Sequence, residues 1–282
     1  MQFFLEIIKF IVLSLLIVII SKYVLVVVLR KLAEALDLTP KTVGNIAGAA
    51  TSVPELLTVS FSAIAGFTGA SAFNILSSNI INLIQYLFAI FLNKNQTELR
   101  NKALKIDIGI VIITIVIPIL ILISGIAYNL AIIPAFILLM ILCYFINSNA
   151  HKLYLKSEDT QLNNQIKKEA KWVKGKRKII VKYTILLLIS TVILYIIGNW
   201  LSTNLTNLCN KFMVPEYILG IALGFITSIP ELITFFESQS YYKETKQSEL
   251  GVVEATNNLL TSNVSNLFII QTIGIILFAI FN

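Results

Sequence analysis

The chain has 282 residues, of which 57% are hydrophobic and 13% charged, and it carries a net charge of +7. A soluble domain is usually about 25% charged, and a single water-soluble core of this length cannot hold so much apolar side chain, so a soluble globular class is excluded. The basic residues lie between apolar runs instead of forming one patch, which removes nucleic acid as a partner and fits loops facing an anionic leaflet.

Runs and breaks predict an all-α membrane protein with about eight transmembrane helices. The first span is expected over about 4–29. Glu6 and Lys9, its length and the lack of a small-residue cleavage site separate it from a signal peptide. A short charged link from Arg30 to Leu38 leads to spans at about 41–65, 69–92, 104–125 and 128–147. A polar segment over 148–177 follows, with Lys167-Lys168 and Lys174-Gly175-Lys176-Arg177-Lys178, and reads as a solvated loop. The last spans are expected at 178–200, 213–237 and 248–281, the final one long enough to be broken or tilted. The chain thus divides into a first half (1–147, motif region 44–83), the 148–177 loop and a second half (178–282, motif region 220–267).

Lysine and arginine fix the expected orientation. The links after spans 1, 3, 5 and 7 hold Arg30, Lys31 and Lys41; Lys94, Arg100, Lys102 and Lys105; the 152–178 cluster; and Lys243 with Lys246. The other side has little more than Lys211 and Lys9. This asymmetry puts both termini outside and the 148–177 loop in the cytoplasm. The expected location is the plasma membrane of a prokaryote, with lipid as the surrounding partner and oligomeric state left open.

The strongest signal is internal. Residues 44–58 read GNIAGAATSVPELLT and 220–234 read GIALGFITSIPELIT. One span later, 74–83 read NILSSNIINL and 258–267 read NLLTSNVSNL. Five span ends separate the two copies, so they run in opposite directions, which is the inverted-repeat plan that places a site near the midplane.

The repeated residues point to a cation. Glu55 and Glu231 each sit well inside a span, where a carboxylate is costly and needs a partner, a cavity or an ion. No lysine or arginine stands mid-span beside them, and two glutamates at one depth repel unless protonated or bridged. Pro54 and Pro230 are expected to kink their helices and free carbonyls near Ala50 and Thr51, and near Ile226 and Thr227. Thr51, Ser52, Thr227 and Ser228 add hydroxyls in the same turn. Asn74, Ser78, Asn79 and Asn82, and their counterparts Asn258, Ser262, Asn263 and Asn266, add polar oxygen on the next span. Carboxylate, carbonyl, hydroxyl and amide oxygens suit calcium, sodium or magnesium. Cys143, Cys209 and the single His151 leave no basis for a disulfide framework or a zinc site. With no Ser/His or Cys/His set, an intramembrane enzyme is not expected. Gly44, Gly48, Gly220 and Gly224 are read as packing residues that let helices approach.

These residues resemble the two alpha-repeats of the sodium/calcium exchanger superfamily, G-T-S-x-P-E-L followed one helix later by G-N-x-x-G-S-N-x-x-N. The resemblance covers both halves. It implies alternating-access antiport of calcium against sodium, or against protons, with no cofactor. It also implies that Glu55 and Glu231 ligate calcium, that Thr51, Ser52, Thr227 and Ser228 are neighbouring sodium and calcium ligands, and that Asn74 and Asn258 are the central Asn/Asp positions, with Ser78 and Ser262 beside them.

The departures are also informative. Ala50 and Ile226 replace the glycine before T-S, Ser77 and Thr261 that of G-S-N, and Phe73 and Asn257 that of G-N, substitutions expected to narrow the cavity or alter helix sliding. Both central positions are amides, as in proton-coupled relatives, and Glu254, one turn before Asn258, is a candidate replacement carboxylate. Family members usually have ten spans. Here the second repeat is expected to be truncated, ending at Asn282 after the eighth span. That loss and the substituted glycines keep a non-transporting regulatory or assembly subunit as an alternative.

Overall fold

The computed structural model describes residues 2–20, 23–24, 27–28, 40–126, 128–154, 176–244 and 248–282. Among them the secondary structure is helical throughout. Helix α1 covers Gln2–Ile20, α2 Pro40–Thr51, α3 Val53–Ile64, α4 Thr68–Leu92, α5 Lys102–Ser124 and α6 Ile133–Tyr154. The second half has α7 over Lys176–Thr206, α8 Glu216–Thr227, α9 Ile229–Glu244, α10 Ser248–Val264 and α11 Gln271–Phe281. Seven helical stretches are long and apolar enough to cross a membrane. The eighth expected span is the pair α2 and α3, two halves of 12 residues each.

Sequence explains where helices stop. The side chain of Asn101 accepts the amide of Ala103 at 2.9 Å to start α5. Gly125 ends that helix with φ 72°, a left-handed conformation that glycine adopts without steric cost. Each proline-glutamate pair stands just inside a new helix. The α2–α3 break falls at Ser52, and the α8–α9 break at Ser228. Pro54 and Pro230 are each the second residue of the following half-helix, where a missing N–H costs little. Across each break the chain keeps one full turn, with Leu56 N bonded to Ser52 O at 3.0 Å and Leu232 N to Ser228 O at 3.3 Å. The expected kinks are therefore present, two residues before each proline.

Other expectations shift in detail. The long last span is interrupted by a π-turn over Ser265–Ile270 between α10 and α11. Helix α6 runs on to Tyr154 and α7 starts at Lys176, so both ends of the expected 148–177 loop are helical. The rest of that loop, and the 30–38 link, lie outside the described residues.

The polarity of the bundle is that of a protein in lipid. Helices α1, α5, α6 and α7 turn large apolar side chains outward, among them Phe4, Leu120, Phe145 and Leu188. The interior holds the polar residues: Thr51, Ser52, Glu55, Asn74, Asn79, Thr227, Glu231 and Asn263 are all buried. The most extensive helix pairings are α8 on α4 and α2 on α10. Each broken helix thus packs on the asparagine-rich helix of the other repeat, and the relation is reciprocal, as a two-fold demands.

Candidate cation site

Glu55 is the third residue of α3 and Glu231 the third of α9, so each carboxylate stands at the N-terminal, electropositive end of a half-helix. Both are fully buried. Ser262 Oγ donates to Glu231 Oε1 at 3.1 Å. The other oxygen of Glu231 and both oxygens of Glu55 have no hydrogen-bond partner within the protein. The two carboxylates are close enough to repel each other.

The hydroxyls around them come from the opposite repeat or the next helix. Thr227 and Ser78 lie beside Glu55, and Thr51 and Ser262 beside Glu231. Ser52 Oγ donates to Ser262 Oγ at 2.9 Å, whereas the symmetry-related Ser228 Oγ has no partner. The predicted residues Glu55, Glu231, Thr51, Ser52, Thr227, Ser228, Ser78 and Ser262 therefore converge.

Asn74 and Asn258 do something more specific. Asn74 Nδ2 donates to Thr58 Oγ1 at 2.6 Å, and Asn258 Nδ2 to Thr234 Oγ1 at the same 2.6 Å. Thr58 in turn donates to the carbonyls of Pro54 (2.9 Å) and Glu55 (3.2 Å), and Thr234 to that of Glu231 (2.9 Å). Each asparagine thus clamps the turn that carries a glutamate. Thr58 and Thr234 are absent from the sequence-derived site, although both are the last residue of the repeated T-S-x-P-E-L-x-T string.

The midplane contact between α4 and α10 is made of amides. Asn79 Nδ2 donates to the carbonyl of Asn263 (3.3 Å) and Asn263 Nδ2 to that of Asn79 (3.0 Å). Asn82 Nδ2 donates to Asn263 Oδ1 and Asn266 Nδ2 to Asn79 Oδ1, both at 3.1 Å. This clasp leaves Asn82 Oδ1 and Asn266 Oδ1 buried and without a partner. Asn82 Nδ2 also reaches Ser262 Oγ at 3.3 Å, which ties it to the Glu231 shell. Asn82 and Asn266, marked in the sequence by the repeated S-N-x-x-N spacing, thus join Asn258 as residues whose buried amide oxygens have no partner.

Glu254 is buried on α10. Among the described residues no three acids, histidines or cysteines come close enough to hold one metal ion, so Glu254 does not form a three-carboxylate cluster with the pair.

The glycines and the family departures are explained by helix contact. A Cβ on Gly48 would stand 2.5 Å from the carbonyl of Asn258 and 2.9 Å from Thr261 Cβ. One on Gly224 would stand 2.7 Å from the carbonyl of Asn74 and would collide with Ser77 Oγ. Ser77 and Thr261 therefore fill the α4–α8 and α10–α2 contacts. Phe73 joins Tyr217 in a ring contact of 6.0 Å on the same α4–α8 surface. Ser77, Thr261 and Phe73 thus occupy interhelical seams.

The assembled donors are hard oxygens around a carboxylate pair, suited to alkali or alkaline-earth cations. The family model described as sodium/calcium exchanger protein matches residues 7–148 and 182–281. Two solved chains of the sodium-calcium exchanger NCX_Mj, one soaked with sodium and no calcium and one with sodium and strontium, are similar in fold. They share 20% and 19% identity, each with 98% of this chain and 83% of that chain covered at a TM-score of 0.50. A comparison with curated proteins gives no match.

Proposed function

The chain belongs to the sodium/calcium exchanger protein family of membrane cation antiporters, and from that premise we propose that it exchanges calcium for sodium at the site between Glu55 and Glu231. The observation that carries this reading is the buried carboxylate pair on two half-helix N-termini, three of whose four oxygens lack any protein partner. One calcium ion neutralises the pair, and so do monovalent ions in its place, so the two cargoes compete for the same oxygens and exclude each other. Thr51, Thr227, Ser52, Ser228, Ser78, Ser262, Asn82 and Asn266 complete the shell, and Asn74 and Asn258 hold the glutamate turns in place. Alternating access follows from two packings of the same inverted repeats, one open to each side.

A second reading couples the cation to protons. It is favoured by the same partnerless carboxylate oxygens, since a buried carboxylate without a fixed cation partner takes a proton readily, and by the amides, which add no charge. Calcium-45 uptake into sodium-loaded proteoliposomes distinguishes the two. Uptake that requires the outward sodium gradient supports sodium coupling; uptake that follows a proton gradient alone selects the second reading; no uptake under either gradient overturns both.

A further inference from the structure

Away from the carboxylate pair, helices α1 and α7 enclose a groove of about 420 Å³ on the lipid-facing surface. Ile8, Val12 and Leu13 give it an apolar lining, and Glu6, Lys9 and Asn204 a polar one; Glu6 lies toward the bundle end that carries Gln2 and Lys211, whose side chains bond at 3.3 Å. Trp200, more than half exposed, forms the other wall.

The polar part is a built set of charges. Glu6 Oε1 accepts from Lys9 Nζ at 3.0 Å, and Glu6 Oε2 accepts from Asn204 Nδ2 at 2.6 Å. Asn204 also donates to the carbonyl of Glu6 at 3.1 Å. Asn207, in the π-turn that ends α7, adds a further amide beside Glu6. Asn204 is only 3% exposed, and its Oδ1 has no hydrogen-bond partner. A half-buried acid, an exposed lysine and an unsatisfied buried acceptor thus stand together among exposed apolar side chains. Such a group is costly in lipid unless a polar partner meets it.

We infer that this groove binds a phospholipid with a primary-ammonium headgroup, of the phosphatidylethanolamine type. The phosphate lies against Lys9, the ammonium donates to the Glu6 carboxylate and to Asn204 Oδ1, and an acyl chain follows Ile8, Val12 and Leu13. Trp200 occupies the interfacial level where indoles concentrate. Charge complementarity selects the headgroup: a quaternary choline carries the same charge but has no N–H to give the two acceptors, and an anionic glycerol headgroup offers no cation to Glu6. The inference is independent of which cation is transported.

The test uses the full chain, delipidated in detergent, with retained lipid read by native mass spectrometry after equal loading with phosphatidylethanolamine and phosphatidylcholine. Preference for the ethanolamine lipid by about tenfold, one decade in affinity, is expected for the native chain. Glu6→Gln keeps an oxygen acceptor but removes the charge and is expected to reduce the preference to about twofold or less, while Lys9→Gln lowers retention of both lipids alike. Equal retention of the two lipids by the native chain, which needs no variant and no folding control, overturns the proposal. So does an undiminished ethanolamine preference in Glu6→Gln.

Discussion

Ser52 of the first repeat donates a 2.9 Å hydrogen bond to Ser262 of the second, and Ser262 in turn donates to Glu231 at 3.1 Å. The helix break of one repeat is thereby wired to the carboxylate of the other. The mirror relation is not made, because Ser228 Oγ and both Glu55 oxygens have no partner. The two halves share a backbone plan and differ in which carboxylate is held.

That asymmetry gives an ordered expectation for three alanine variants. Ser262→Ala removes the 3.1 Å bond to Glu231 and should cost most, ~2 kcal/mol for a bond to a carboxylate. Ser52→Ala removes a neutral bond and should cost ~1 kcal/mol. Ser228→Ala removes no bond within the protein, so its stability should match the native chain while its cation affinity falls. Thermal midpoints in detergent, with and without calcium, check the order; a Ser228→Ala variant as unstable as Ser262→Ala would contradict it.

Replacing either glutamate tests the charge argument. Glu55→Gln and Glu231→Gln keep size and hydrogen bonding but leave a −1 site for a divalent ion. Calcium affinity should fall by about 100-fold, equivalent to ~2.8 kcal/mol at ~1.4 kcal/mol per decade, and exchange should cease. Isothermal titration reads the first and calcium-45 flux the second. The two variants should be similar in size of effect, since the carboxylates occupy equivalent positions on α3 and α9.

The clamp reading of Asn74 makes a different kind of claim. If its role runs through Thr58, then Asn74→Ala and Thr58→Val each break the same 2.6 Å bond, and the double variant should lose little more than either alone. A coupling energy of ~1 kcal/mol in a double-mutant cycle is expected, with the same result for Asn258 and Thr234. Additive losses in calcium affinity would instead make Asn74 an independent ligand.

The span pattern, the inverted repeats and the glutamate pair were legible in the sequence, because apolar run length, repetition and a mid-span charge each have one physical meaning in lipid. The partners of the asparagines were not. Helical spacing places Asn74, Ser78 and Asn82 on one face, but not the neighbour each amide nitrogen finds: that of Asn74 meets Thr58 of α3. Family likeness put the central amide at Asn74 and Asn258, while among the repeated asparagines the partnerless amide oxygens belong to Asn258, Asn82 and Asn266. The π-turn that carries Asn266 has no proline or glycine to mark it in the sequence.

The glycine seams yield the last expectation. Gly48→Ala and Gly224→Ala each push a methyl group against the backbone carbonyl of the opposite helix, at 2.5 Å from Asn258 O and 2.7 Å from Asn74 O. Backbone cannot rotate away as a side chain can, so each change should cost ~1–3 kcal/mol and lower the thermal midpoint. Gly109→Ala is the control: nothing lies within 4 Å of its Cβ, and alanine favours the helix by up to ~1 kcal/mol, so stability should hold or rise. The sharper test adds Ser77→Gly to Gly224→Ala. That pair relieves the collision with Ser77 Oγ but leaves the carbonyl of Asn74 in place, so rescue should be partial at most. Full recovery of both stability and flux would show that α4 and α8 are separated more widely than the seam implies, and would return Ser77 from a seam filler to a residue that limits helix approach.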